Sequence, residues 1–187
     1  MDLAVANWFY GVLKNNKALS MIARVLTEIG SWWFIVSVIV LLLCFKKTRI
    51  IGVFVGVASL MCLIANNLIL KNVIGRARPF EVNAELASIC EMVSYKLPTD
   101  GSMASGHSAS TMAVATMLFI FNKKVGIVAI ITSIIVGLTR LCLCVHFLTD
   151  VIVGFIIGIT FAIITYYLLK YICNKYSKNR GNRRWKK

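Results

Sequence analysis

Five stretches of this 187-residue chain are long and apolar enough to be read as membrane-spanning helices: Ser31–Phe45, Ile50–Leu70, Ser108–Phe121, Val125–Val145 and Phe147–Cys173. A bilayer core about 30 Å thick takes about 20 mostly apolar residues per helical crossing. The expected fold class is therefore all-α, a polytopic transmembrane helix bundle of five spans. The first span begins a turn or two before Ser31. The run from Ser108 is short and counts as the third span with its polar start at membrane depth. Residues 1–30 carry Lys14, Lys17, Arg24 and Glu28 among apolar residues at helical spacing. They fit helices lying in the interface, the reading preferred here, or a weakly apolar sixth span. The N-terminus lacks a basic region before its apolar part, so it reads as retained rather than as a signal peptide. Residues 31–173 then form the transmembrane domain and 174–187 a basic tail.

Charge orients the bundle. The net charge is +14, from 21 Lys and Arg against 7 Asp and Glu, in a chain that is 59% hydrophobic. In a soluble chain that balance would suggest nucleic acid. Here the basic residues are split among short loops and a tail, so no nucleic-acid partner is expected. Lys46, Lys47 and Arg49, then Lys123 and Lys124, then the tail from Lys170 to Lys187 all fall on one side of five alternating spans. That side is expected to be cytoplasmic, with the tail against anionic headgroups. The loop from Lys71 to Ser105 and the turn at His146 then face outward. The six cysteines show no zinc-ligand spacing and read as small buried hydrophobes. Gly52 with Gly56, and Gly154 with Gly158, read as close helix packing.

Three polar clusters break the apolar sequence, and span counting brings all three to the outward edge. They are KNVIGRARPF with Lys71, Arg76 and Arg78; ASGHSAS with Ser105, Gly106 and His107; and TRLCLCVHFLTD with Arg140, His146 and Asp150. Ionisable groups at membrane depth are costly and mark function by default. Several cations beside a helix N-terminus describe an anion site, because guanidinium forks and free N–H groups both match phosphate oxygens. His146 and Asp150, four apart, would share a helix face, where the carboxylate orients the imidazole. His107 at the helix start is positioned to supply a proton to a leaving oxygen. These are the parts of a metal-independent phosphoryl transfer.

At this point the sequence resembles the type 2 phosphatidic acid phosphatase superfamily of integral-membrane lipid phosphatases. Its motifs K-x6-RP, PSGH and SR-x5-H-x3-D read here as Lys71 to Arg78–Pro79, Ala104–Ser105–Gly106–His107, and Thr139–Arg140 to His146 to Asp150. The resemblance implies His146 as the nucleophile that forms a phosphohistidine, Asp150 as its orienter and His107 as the general acid. It implies Lys71, Arg78, Arg140, Ser105 and Gly106 as the phosphate-binding set, with no metal and no cofactor. Arg76 matches no motif position. Ala104 stands in place of the motif's proline and Thr139 in place of its serine. The first change is expected to loosen the loop and the second to crowd the site with a methyl group.

An outward site at the bilayer edge suits a membrane lipid phosphate or pyrophosphate as substrate. The compact chain resembles bacterial members of the family. The preferred substrate is undecaprenyl pyrophosphate, since surplus cations such as Arg76 and Lys96 suit a diphosphate. Phosphatidylglycerophosphate or phosphatidate is the enzymatic alternative. Vanadium-dependent haloperoxidases share the family's site, but the five apolar spans argue against that chemistry. The alternative of another class is a non-catalytic lipid- or anion-binding membrane protein. Retention of His107, His146 and Asp150 argues against it.

Overall fold

Helices fill every apolar run in the computed structural model, which describes residues 1–179. All regular structure among the described residues is helical. The chain forms α1 (Asp2–Leu13), α2 (Lys17–Thr27), α3 (Trp32–Cys44), α4 (Arg49–Leu63), α5 (Lys71–Ile74), α6 (Pro79–Val82), α7 (Ala87–Met92), α8 (Gly106–Phe121), α9 (Lys123–Cys142) and α10 (Leu148–Asn179). The tail beyond 179 lies outside the described residues, and α10 runs into its expected start.

Local chemistry sets the helix ends. Asn122 closes α8 and opens α9, accepting at Oδ1 from the N–H groups of Lys124 and Val125. One residue thus turns the chain through a tight antiparallel corner. Ser31 and Asn16 cap α3 and α2 in the same way. α4 continues through a π-helical segment, Ile64–Leu70, into α5. Gly75 ends that run with φ at +56°, which glycine adopts without steric cost.

The bundle is built on α8, which packs against α9, α10 and α4. Gly154 and Gly158 of α10 face it. A Cβ on Gly154 would come within 2.8 Å of the Ser105 carbonyl, so the small-residue pattern brings two backbones together as expected. Arg49–Val82, Lys123–Cys142 and Leu148–Tyr176 are each long and apolar enough to cross a bilayer. α8 has 16 residues, about 24 Å by rise per residue, and is apolar but shorter than the three. Residues 17–30 and α3 together are long and apolar enough for a crossing, as a broken span or a re-entrant pair bent by 46°. The break falls at Gly30–Ser31, where Ser31 is extended and starts a new helix. α1 and α2 both pack on α9. Ala6 and Leu13 enter a buried cluster with Leu86, Ile89, Val93, Leu143 and Val145.

The loop from Lys71 to Ser105 carries regular structure of its own. It holds α6, a 3-10 turn and α7, which rest on that N-terminal cluster. Cys90 in this loop is fully buried, and so are Cys62 and Cys144, whereas Cys44 and Cys173 are exposed on the apolar surface. The expectation of buried cysteines thus fails at those two positions, which sit on outward faces of α3 and α10.

Candidate active site

Four helix ends meet at one end of the bundle: the π-to-α5 run, the start of α8, the end of α9 and the start of α10. They enclose a cavity of about 440 Å³ lined by Lys71, Arg78, Gly106, His107, Arg140 and His146. Six of the eight residues singled out from sequence therefore line one cavity. Asp150 stands directly behind His146, with Nδ1 3.7 Å from Oδ2. Ser105 lies behind the wall. It is fully buried, its N–H donates to the Asp150 carbonyl at 3.0 Å, and its Oγ accepts from Ser108 at 3.0 Å.

The His146–Asp150 pair departs from expectation in its setting. His146 is not on the helix. It precedes α10 in a turn that Leu143 and Cys144 open, Cys144 with φ at +52°. Asp150 is the third residue of α10 and accepts at Oδ2 from the Phe147 N–H at 2.8 Å, which is one arm of a capping box. The carboxylate closes the helix start and faces the imidazole at once. Its Oδ2 also accepts from Ser102 Oγ at 2.5 Å, and its Oδ1 takes Arg76 Nη1 at 2.6 Å. It is wholly shielded from solvent. His146 Nδ1 makes no hydrogen bond, and Nε2 points at Arg78 Nη1, 3.4 Å away. Burial pushes the imidazole down to about 3, and the charges of Arg140 and Arg78 act in the same direction, against Asp150. The ring is neutral at neutral pH, with Nε2 aimed at the cationic side of the cavity.

The cations are held by their own scaffold. Arg78 is nearly inaccessible and donates to the carbonyls of Val145 and Asp100, at 2.7 and 2.8 Å. Arg140 donates from Nη1 to Thr27 Oγ1 and Tyr95 OH, each at 2.8 Å, and leaves Nε unpaired. Asp100 bridges Lys71 (2.5 Å) and Arg78 (2.7 Å). Burial alone would raise this carboxyl, but the hydrogen bonds and charges of Lys71 and Arg78 bring it down to about 2. It is an internal carboxylate on two cations that a phosphate would share.

Sequence reasoning missed Asp100, Ser102, Tyr95, Thr27 and Gly30. None lies in a recognised pattern, and only the fold brings them in. A Cβ on Gly30 would fall 2.8 Å from His107 Cδ2 and 2.7 Å from Val136 Cγ1, so the α2–α3 break abuts the imidazole directly. Arg76, left without a role by its sequence position, pairs with both Asp150 and Asp2 of α1. Neither Ala104 nor Thr139 lines the cavity. Ala104 is buried, and its carbonyl accepts from Asn66 Nδ2 at 3.2 Å. Ser102 N–H, two residues before Ala104, donates to the Arg76 carbonyl at 2.9 Å. The Thr139 hydroxyl donates to the Val136 carbonyl.

Comparisons with known proteins bear on the family and the fold. The sequence profile of the PAP2 superfamily matches residues 49–173. An undecaprenyl-diphosphatase of Sulfolobus acidocaldarius is 33% identical over 135 residues, covering 71% of this chain and 62% of that protein. A phosphatidylglycerophosphatase B of Bacillus subtilis is 32% identical over 104 residues, covering 50% and 46%. The matches thus span about half to three-fifths of these relatives' length. The crystal structure of a transmembrane PAP2-type phosphatidylglycerolphosphate phosphatase from Bacillus subtilis superimposes with a TM-score of 0.70 at 23% identity, over 91% of this chain and 85% of that one. The fold is therefore that of the PAP2 membrane phosphatases.

Proposed function

The chain belongs to the PAP2 superfamily, and from that premise we propose that it is a multi-pass membrane lipid phosphatase working through a phosphohistidine at the extracytoplasmic face. One observation carries the reading: Lys71, Arg78, His107, Arg140 and His146 line a single cavity, with Asp150 buried behind His146.

In this mechanism the substrate phosphate displaces the Asp100 carboxylate from Lys71 and Arg78. Arg140, which lines the cavity, and the N–H groups at the start of α8 complete its charge clamp. His146 Nε2 attacks phosphorus, and the bond to the leaving oxygen breaks. His107, protonated once the phosphate's negative charge sits beside it, gives that oxygen its proton. The Nδ1–H of His146 moves into hydrogen-bonding distance of Asp150, which stabilises the charged ring; such contacts are often long in unliganded sites. A water then attacks the phosphohistidine and passes its proton to His107. Phosphate leaves, and His146 returns to neutral.

The preferred substrate is undecaprenyl pyrophosphate, converted to undecaprenyl phosphate. The match to a relative of that name supports it, as does a cavity rich in cations. Phosphatidylglycerophosphate is the second reading, supported by the other relative. The outward placement is supported by the basic residues near Lys46, Lys123 and Lys170, at the helix ends opposite the cavity. The test is phosphate release by the purified protein in detergent with EDTA, offering both lipids at equal concentration. Release is expected to vanish in His146→Ala, and the substrate's labelled terminal phosphate is expected on His146 after rapid quench. No release from either lipid by folded protein sinks the reading.

A further inference from the structure

Beside the charged cavity lies a second one, and Ile35 lines both. This apolar groove of about 450 Å³ lies between α3, α8 and α9. The chain-adjacent pairs Ile29–Gly30 and Ser110–Thr111 divide between the two spaces. The groove exists because of the bend at Gly30–Ser31, which lays α2 on α9 while α3 packs mainly on α4. Its walls are Ile35 and Val38 of α3, Val114 and Leu118 of α8, and Val128 and Ala129 of α9.

Three hydroxyls reach the groove, and each is already engaged. Thr111 and Ser133 lie 2.8 Å apart, and Thr111 also donates to the His107 carbonyl. Thr132 donates to the Val128 carbonyl at 2.9 Å. The groove thus offers a ligand no free polar group of its own and takes hydrocarbon. It starts one turn below His107 and runs from Thr111 to Leu118, about 10 Å along α8, away from the charged end.

We propose that this groove holds the proximal part of a single polyprenyl chain whose phosphate sits in the charged cavity. The proposal rests on the lipid phosphatase reading and deepens it. At roughly 30 Å³ per methylene the groove takes about 15 carbons, the number in three isoprene units. A phosphate bound between His107 and His146 leaves its chain the adjoining space under Ile35.

The test fills the groove from opposite walls with Ala129→Trp and Val38→Trp. Ile131→Trp, on the exposed face of α9, is the control. kcat/KM is measured for farnesyl diphosphate, with three isoprene units, and for isopentenyl diphosphate, with one. The dissociation constant of farnesyl methylenediphosphonate, which cannot be hydrolysed, is measured alongside. Both filling variants should lose at least about tenfold on the farnesyl compounds, as excluded methylenes predict. They should stay within about twofold of wild type on isopentenyl diphosphate, where the chain is too short to miss the groove, and the control should change nothing. Farnesyl binding unchanged in both variants, or equal losses on long and short substrates, overturns the proposal. If one variant does not fold, the other decides, with Ala129→Leu as the milder filling. Wild-type protein that binds the diphosphonate through the groove yet hydrolyses neither ester sinks the phosphatase reading and leaves the groove assignment standing.

Discussion

Arg76 Nη1 lies 2.6 Å from Asp150 Oδ1, while the other oxygen of that carboxylate faces His146. Arg76 is itself fixed on its far side by Asp2, 2.8 Å from Nη2, and lies over the Phe147 ring. Thr149 adds a further link, its hydroxyl 2.5 Å from Asp2. The first helix of the chain is thereby tied to the carboxylate that orients the proposed nucleophile. Arg76 is a positioning residue: it touches Asp150, not the cavity.

Arg76→Gln should therefore lower kcat by about 100-fold with little change in KM, the scale set by small misplacements of reacting groups. Arg76→Lys keeps one charged contact and should recover part of the loss. Steady-state kinetics on the lipid substrate check this. A rise in KM at unchanged kcat would instead make Arg76 a substrate ligand.

Gly30→Ala should act on His107. The added methyl cannot be placed without moving Val136 or the imidazole, since both fall inside 3.0 Å of it. kcat should drop by about 10- to 100-fold, while inhibition by inorganic phosphate stays near wild type because Lys71, Arg78 and Arg140 are untouched. Parallel loss of both would point to collapse of the α2–α3 corner.

Much of the site was legible because its chemistry is local in sequence. Lys71 to Arg78, Ser105 to His107 and Arg140 to Asp150 are short patterns, and counting apolar runs sends all three to one end. What stayed hidden depends on long-range contacts. Asp100 and Tyr95 sit in a loop without periodicity and matter only because the loop folds back over α5 and the end of α9. Gly30 and Asp2 come from a segment whose mixed polarity fitted two placements, and their approach to His107 and Arg76 is long-range. The i,i+4 spacing of His146 and Asp150 suggested one helix face. A turn at Cys144 instead lets the histidine approach from outside the helix, a geometry that spacing alone does not distinguish. Lys71 follows a π-helical segment, whose extra residue per turn reorients everything after it.

Asp100→Asn should tighten phosphate binding. The carboxylate occupies Lys71 and Arg78 and stays ionised throughout the working pH range, being held at about 2. An incoming anion must displace it. Its side chain is 53% exposed, so each ion pair is weak and solvent-screened. Removing the charge should lower the inhibition constant of inorganic phosphate by about three- to tenfold. Weaker inhibition in the variant would show that Asp100 organises the cations more than it competes for them.

Acid should destabilise the fold through His146. The ring is buried and neutral with its proton affinity held down to about 3, against 6.5 in an exposed histidine. Between those values the unfolded chain binds a proton that the folded one does not. Unfolding then takes up a proton, so stability is fully present above about 6.5 and falls as pH drops toward 3. One such group contributes a slope of at most about 1.4 kcal/mol per pH unit in that window. Apparent Tm in detergent should fall between pH 6.5 and 4.5 in the wild type, and less steeply in His146→Gln, which has no proton to gain. The two slopes should coincide above pH 7. Equal slopes below pH 6.5 would mean that the imidazole is already charged in the fold, paired with Asp150, and the neutral-nucleophile step would have to be rewritten.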